Sequence, residues 1–145
     1  MYASDILAKE QSYGELEQLL RHVSPSDKLL VLGDFNARVG REHQLWPSVM
    51  GKHSYGVTST NGEMILQLCA TIGLTIANTL FELKDQYKVT WMHPRSKKWH
   101  VLDYALVRAA DRSDVLSARV KCGAECSTDH RLLVVSLRFQ LRHKE

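Results

Sequence analysis

The sequence predicts an α+β fold, in which amphipathic helices lie on a sheet whose middle strand is buried on both faces. Three observations predict it. Two stretches, Leu7 to Val23 and Met64 to Ile72, carry apolar residues at three- and four-residue spacing. A short aliphatic run, Leu29-Leu30-Val31-Leu32, ends in Gly33-Asp34-Phe35-Asn36, the pattern of a buried strand that delivers polar groups at its C-terminal end. Trp99 to Val107 alternates Leu102, Tyr104 and Leu106 with Val101, Ala105 and Val107, so both faces are apolar and Asp103 is the exception.

Each element follows in order. The first helix sets Tyr13, Leu16, Leu19, Leu20 and Val23 on one face, with Glu10, Glu15, Glu17 and Gln18 between them, and Ser24-Pro25-Ser26-Asp27 stops it. After the strand at Leu29 comes an irregular region from Ala37 to Thr60 containing Gly40, Pro47, Gly51 and Gly56; a loop that long in a compact domain is usually functional or mobile. Ser59-Thr60-Asn61 caps the second helix, whose buried stripe is Met64, Ile65, Leu68, Cys69 and Ile72, and Gly73 closes it. Leu74 to Asn78 reads as a short strand. Lys88 to Met92 and Trp99 to Val107 form a hairpin about His93-Pro94-Arg95-Ser96-Lys97-Lys98. A helical turn over Ala109 to Leu116, a strand over Ser117 to Lys121 and a last strand over Arg131 to Phe139 complete the chain. No repeat or linker divides it, so residues 1–145 are expected to be one domain.

Composition excludes several classes. Hydrophobic residues at 44% and charged residues at 24% of 145 argue against disorder, and no apolar run is long enough to span a bilayer. The first ten residues lack a basic lead and an apolar core, so the expected protein is intracellular and soluble, the nucleus included. A net charge of +3 permits a polyanionic partner without demanding one. Cys69, Cys122 and Cys126 are expected as free thiols, and Cys122, Cys126 and His130 lack the fourth ligand that a structural zinc needs.

Asp34 and Asn36 fall just past one strand, Asp129 and His130 just before another, and Asp103 within a third. If the first two of these strands run antiparallel as neighbours, the end of one and the start of the other share a rim. Such a set suits attack of water on a phosphodiester: a carboxylate orients the water, a carboxamide and an imidazole meet the developing charge, and a hard cation takes oxygen ligands. Each piece has a plainer reading too. Gly-Asp-Phe-Asn is also a turn, a lone strand aspartate is also a buried backbone acceptor, and Asp129-His130 is also a strand cap. Trp91 to His100 interleaves aromatic and basic residues at the hairpin tip, as phosphate contact and base stacking require, or as a solvated hairpin with core tryptophans at its base. Arg38 and Arg41 serve similarly or are simply exposed.

Tyr2-Ala3-Ser4, Leu32-Gly33-Asp34-Phe35-Asn36, Val89-Thr90-Trp91, Leu102-Asp103-Tyr104 and Ser127-Thr128-Asp129-His130-Arg131 together resemble the C-terminal half of an endonuclease/exonuclease/phosphatase domain. The resemblance is nearest to the endonucleases of LINE-type (non-LTR) retrotransposons and the related craniofacial development protein 2 group. It implies a DNase I-like four-layer α/β sandwich, here truncated to about its C-terminal half. It also implies a DNA-directed phosphodiesterase with Mg²⁺, or Mn²⁺ in its place. In that likeness Asp34 orients the water, Asn36 and Tyr2 contact the scissile phosphate, Asp103 holds His130, and Asp129 lies beside the metal. Trp91, Arg95, Lys97 and Lys98 are the expected nucleic-acid contacts.

The family domain is about twice this length, and its first half supplies an asparagine and a glutamate that hold the cation. The expectation is therefore weak or no nuclease activity from this chain alone, and an inner sheet face left open to self-association or to pairing with an N-terminal half. Two other functions stand beside it: a non-catalytic remnant that binds nucleic acid or protein, and a phosphatase acting on a small phosphoester.

Overall fold

A computed structural model describes residues 13–121 and 130–138. Helix α1 spans Tyr13–Arg21 and strand β1 Leu30–Asp34; helix α2 spans Thr60–Ile72 and β2 Leu74–Ile76. The hairpin strands β3 and β4 are Trp91–Met92 and Trp99–His100, followed by β5 at Asp103–Arg108, β6 at Val115–Lys121 and β7 at Leu132–Leu137. One three-stranded antiparallel sheet has the order β1-β5-β2; β3 pairs with β4, and β6 with β7. The expected helical start at residues 7–12, Tyr2, Asp129, Phe139 and the pair Cys122 and Cys126 lie outside the described residues.

Strand β5 is the middle strand, as its two apolar faces require. Tyr104 and Leu106 join the core under α1 and α2, with Leu16, Leu20, Ile65, Leu66 and Cys69. Ala105 and Val107 face the other way, into a second cluster with Ala77, Val115, Ala118 and Leu133. Sequestering each Leu or Val contributes about 1.5–3 kcal/mol, so the two clusters fix β5 from both sides. The helices on one face and the β6–β7 hairpin on the other make three layers around it.

Local chemistry sets the ends of α2. Ser59 accepts from Gly62 N at 3.1 Å as N-cap, and Gly73 closes the helix in the left-handed region at φ 87°. Gly62 packs against the loop after β1, where a Cβ would collide with the Arg38 carbonyl. That close approach holds the loop beside the helix.

Four expectations are corrected. The last strand does not neighbour β1: β5 does, because β1 needs a partner whose opposite face is also buried, and β7 pairs with β6 instead. The strand over Trp99 to Val107 breaks at Val101 and Leu102, where the Thr90 side chain accepts the Leu102 N–H at 2.9 Å in place of a ladder partner. Leu19 and Met64, expected in the helical stripes, are each 44% exposed, and Leu66 takes a core place instead. Among the described residues, the inner face of the β1-β5-β2 sheet is covered over β5 by β6–β7, and Leu30 and Leu32 on β1 pack against that cluster while staying partly uncovered.

Candidate active site

The end of β1 carries the first group. Alternation sends Phe35 into the core, its ring tilted against Tyr104 at 6.2 Å, and leaves Asp34 and Asn36 at the rim. Asp34 Oδ1 accepts the Asn36 N–H at 2.8 Å, closing a tight turn in which Asn36 takes φ 49°, a conformation asparagine tolerates better than most residues. The Asn36 carbonyl accepts from Asn61 Nδ2 at 3.1 Å. These bonds engage its backbone and leave the exposed carboxamide turned to solvent.

Asp103 opens β5 directly across from Asp34 in the ladder. Its backbone is gripped from two sides: Asn78 Nδ2 donates to Asp103 O at 3.0 Å while Asn78 Oδ1 accepts from Ala105 N at 2.9 Å, so one carboxamide substitutes for a strand neighbour. On the other side Thr90 Oγ1 accepts from Asp103 N at 3.3 Å. His130 reaches the same place through a bridge to Trp91 and an Arg131 N–H bond to Thr90 O at 2.7 Å. Its Nε2 lies 2.7 Å from Asp103 Oδ2. The His130 side chain is 43% exposed and that of Asp103 only 16%, so the carboxylate is the buried anchor and the imidazole the accessible tip.

The electrostatics follow from that burial. Desolvation pushes the Asp103 carboxyl above the usual range, and the Asp34 charge adds to the rise; the bond to His130, its charge and the Thr90 hydroxyl pull it back down. Asp103 Oδ1 is buried without a hydrogen-bond partner among the described residues. Asp34, Asp103 and His130 each offer a ligand atom within 4.8 Å of the others. Two carboxylates with an orphaned oxygen fit a hard divalent cation by their chemistry, and a cation would relieve their mutual repulsion.

Asp34, Asn36, Asp103 and His130 are thus brought together, and Trp91 lines a cleft that adjoins Asn36. Arg95, Lys97 and Lys98 sit exposed at the hairpin tip, about 93–98, away from the carboxylates in sequence but on the strand pair that carries Trp91. Tyr2 and Asp129 lie outside the described residues. Thr90, Asn78 and Asn61 were not singled out as site residues. Their work is done through backbone atoms of distant segments, which leaves no local pattern; Thr90 alone carries a signal, within Val89-Thr90-Trp91.

The fold can be compared with known structures at this point. The endonuclease domain of TRAS1, a telomere-specific non-LTR retrotransposon, superposes with a TM-score of 0.61 at 17% identity, over 97% of this chain and 57% of that one. The 3'-5' exonuclease NExo of Neisseria meningitidis gives 0.61 at 21%, covering 90% of this chain and 54% of that one. A 3' phosphatase form of NExo (D146N) bound to a product DNA hairpin gives 0.58 at 20%, covering 90% and 53%. The chain therefore has the fold of a DNase I-like domain, over about half the length of these relatives. In sequence it is 34% identical over 130 residues to craniofacial development protein 2 of Tragulus javanicus and 33% identical to that of Bos taurus. Those matches cover 90% of this chain and 22% of each relative. No family model matches the chain. No helix among the described residues is long and apolar enough to cross a membrane.

Proposed function

We propose that this chain carries part of a phosphodiesterase site acting on DNA, of retrotransposon-endonuclease type. The observation behind it is the meeting of Asp34, Asp103 and His130 at one sheet end, on a DNase I-like fold. Asp34 orients a water and takes its proton as it attacks phosphorus, while the P–O ester bond opposite the water breaks and the departing oxygen takes a proton from solvent. The exposed Asn36 carboxamide donates to a non-bridging oxygen, and His130, held by Asp103, meets the negative charge as it grows. Mg²⁺, or Mn²⁺, is the proposed cofactor; Asp129 and the Asp34–Asp103 pair would supply carboxylates to it, and it would neutralise phosphate charge. Tyr2 is proposed as a further phosphate contact.

The described residues bring two carboxylates and an imidazole together, and the resemblance expects an asparagine and a glutamate at the metal besides, so we expect these 145 residues by themselves to be weakly active or inactive. Pairing belongs to the same proposal. Among the described residues strand β1 is a sheet edge with Leu30 and Leu32 partly uncovered, where a second copy or an N-terminal half-domain would add.

Nicking of supercoiled plasmid in Mg²⁺ tests the reading, with Asp34→Asn as control. Slow nicking abolished by Asp34→Asn supports it. Nicking as fast as a complete family domain overturns the impairment, and nicking insensitive to Asp34→Asn overturns the site. DNA binding without any turnover selects the non-catalytic remnant, and turnover confined to small phosphomonoesters selects the phosphatase.

A further inference from the structure

Two clefts meet at Arg38 and His100, and their shared wall is basic. The first, of about 630 Å³, lies between the loop after β1, the start of α2 and the β3–β4 hairpin; Asn36, Arg38, Asn61, Trp91, His93 and His100 line it. The second, of about 600 Å³, continues past Arg38 and His100 to Arg41, Tyr55, Lys98 and Trp99. Arg38 and His100 line both. No carboxylate lines the first cleft, and Asp85 is the one in the second. Arg38, Arg41 and Lys98 make no ion pair among the described residues.

The wall is also built rather than merely exposed. Trp91 stacks on His100 with centroids 6.0 Å apart and 29° between planes, and meets His93 edge-on at 5.5 Å. His93 Nδ1 accepts from Arg95 N at 3.1 Å, so the proton of the neutral ring sits on Nε2, as a donor. Arg38 is held by its backbone, which donates to Ser59 Oγ at 3.0 Å and accepts from Ser59 N at 2.9 Å. His100 is less basic than an ordinary histidine through burial and then through the charges of Arg38, His93 and Lys98. Cations gathered in a concave, unpartnered wall repel one another, and an anion relieves that repulsion.

The first cleft, at about 630 Å³, has room for a ligand of nucleotide size. A phosphoester at Asn36 that carries only one nucleotide ends there, whereas a longer strand must pass Arg38 and His100 to enter the second cleft. We propose that Arg38 and His100 form a subsite for the phosphate next to the scissile one, so that the substrate class is a polynucleotide strand rather than a small phosphomonoester. This rests on the phosphodiesterase reading above and deepens it.

Binding, not hydrolysis, tests it. Fluorescence anisotropy in EDTA compares a labelled trinucleotide with a labelled nucleoside 5'-monophosphate, for the unaltered chain, Arg38→Gln, His100→Gln and the remote Arg112→Gln. Arg38→Gln should weaken the trinucleotide about tenfold and lower the slope of log affinity against log salt by about 0.7, the value for one phosphate contact on a single strand. The monophosphate, whose one phosphate sits at Asn36 and not at the wall that Arg38 and His100 share between the clefts, should change by less than about twofold, and Arg112→Gln should do nothing to either. His100→Gln gives the same selective loss if Arg38→Gln proves to melt early. An unchanged slope, an equal loss for the monophosphate, an equal loss in Arg112→Gln, or no binding by the unaltered chain overturns the subsite. Loss of hydrolysis with this pattern intact counts only against the phosphodiesterase reading.

Discussion

Asp34 and Asp103 stand opposite each other on the last rung of the β1–β5 ladder, two carboxylates placed side by side where one sheet ends. Like charges facing across strands destabilise a sheet, and Asp103 is mostly buried as well. The one described cationisable group bonded to this pair, His130, faces it from the segment before β7. The rim is therefore held against an electrostatic cost that a structural role does not require.

That cost has a sign that pH exposes. The Asp103 carboxyl is raised by burial first and by Asp34 second, so folding favours its protonated form. Its contribution is favourable below the ordinary carboxylate range and is lost as pH rises through the raised folded value. At neutral pH the ionised group is a net burden. Asp103→Asn should then melt at or above the temperature of the unaltered chain at pH 7 in EDTA, with the difference shrinking as pH falls through the folded value. A melting temperature several degrees lower at pH 7 would mean that the carboxylate is held by net favourable bonds.

Thr90 ties the hairpin, β5 and the His130 segment together: it is fully buried, its hydroxyl accepts from Leu102 N, and its carbonyl accepts from Arg131 N. Thr90→Val keeps the shape and strands two buried N–H groups, a cost of about 1–3 kcal/mol in denaturant unfolding. Thr90→Ser should recover most of it. Equal losses in both variants would show that the methyl group matters and the hydroxyl does not.

Two glycines separate close packing from backbone freedom. Gly62→Ala must push α2 off the Arg38 carbonyl and should destabilise by well over about 1 kcal/mol. Gly14→Ala, in α1 with nothing near its Cβ position, should stabilise by up to about 1 kcal/mol. Urea midpoints for the two variants check both directions, and a tolerated Gly62→Ala would show that the loop after β1 is not fixed by α2.

Much of this was legible because periodicity reports burial directly. The two faces of Tyr104 to Val107, the Ser59 cap and the Gly73 closure are local patterns, and each appears where the spacing puts it. Strand order is not local. The neighbour of β1 depends on which strand can be covered on both faces, and hydrophobicity alone could not choose between β5 and β7. The convergence of Asp34 with His130 was expected through adjacent strands, yet it is achieved through the Trp91 bridge and Thr90. Asn78 was invisible for the same reason, since it imitates a strand by gripping the backbone of β5.

The hairpin tip gives the last test, because its cations are free of structural duty. Arg95, Lys97 and Lys98 are exposed and make no ion pair among the described residues, and the turn is held by backbone bonds to His93 instead. Lys97 has φ 59°, so it is best replaced by asparagine, which accepts that conformation, with glutamine at the other two positions. The triple variant should keep its stability within about 0.5 kcal/mol. If the three side chains meet a duplex backbone, the slope of log affinity against log salt falls by up to about 2.7, at 0.9 per phosphate. Affinity for a nucleoside 5'-monophosphate at the Asn36 cleft should not move, since none of Arg95, Lys97 and Lys98 lines it. An unchanged slope with a folded variant would take Arg95, Lys97 and Lys98 off the duplex backbone and leave that contact to Arg38 and Arg41.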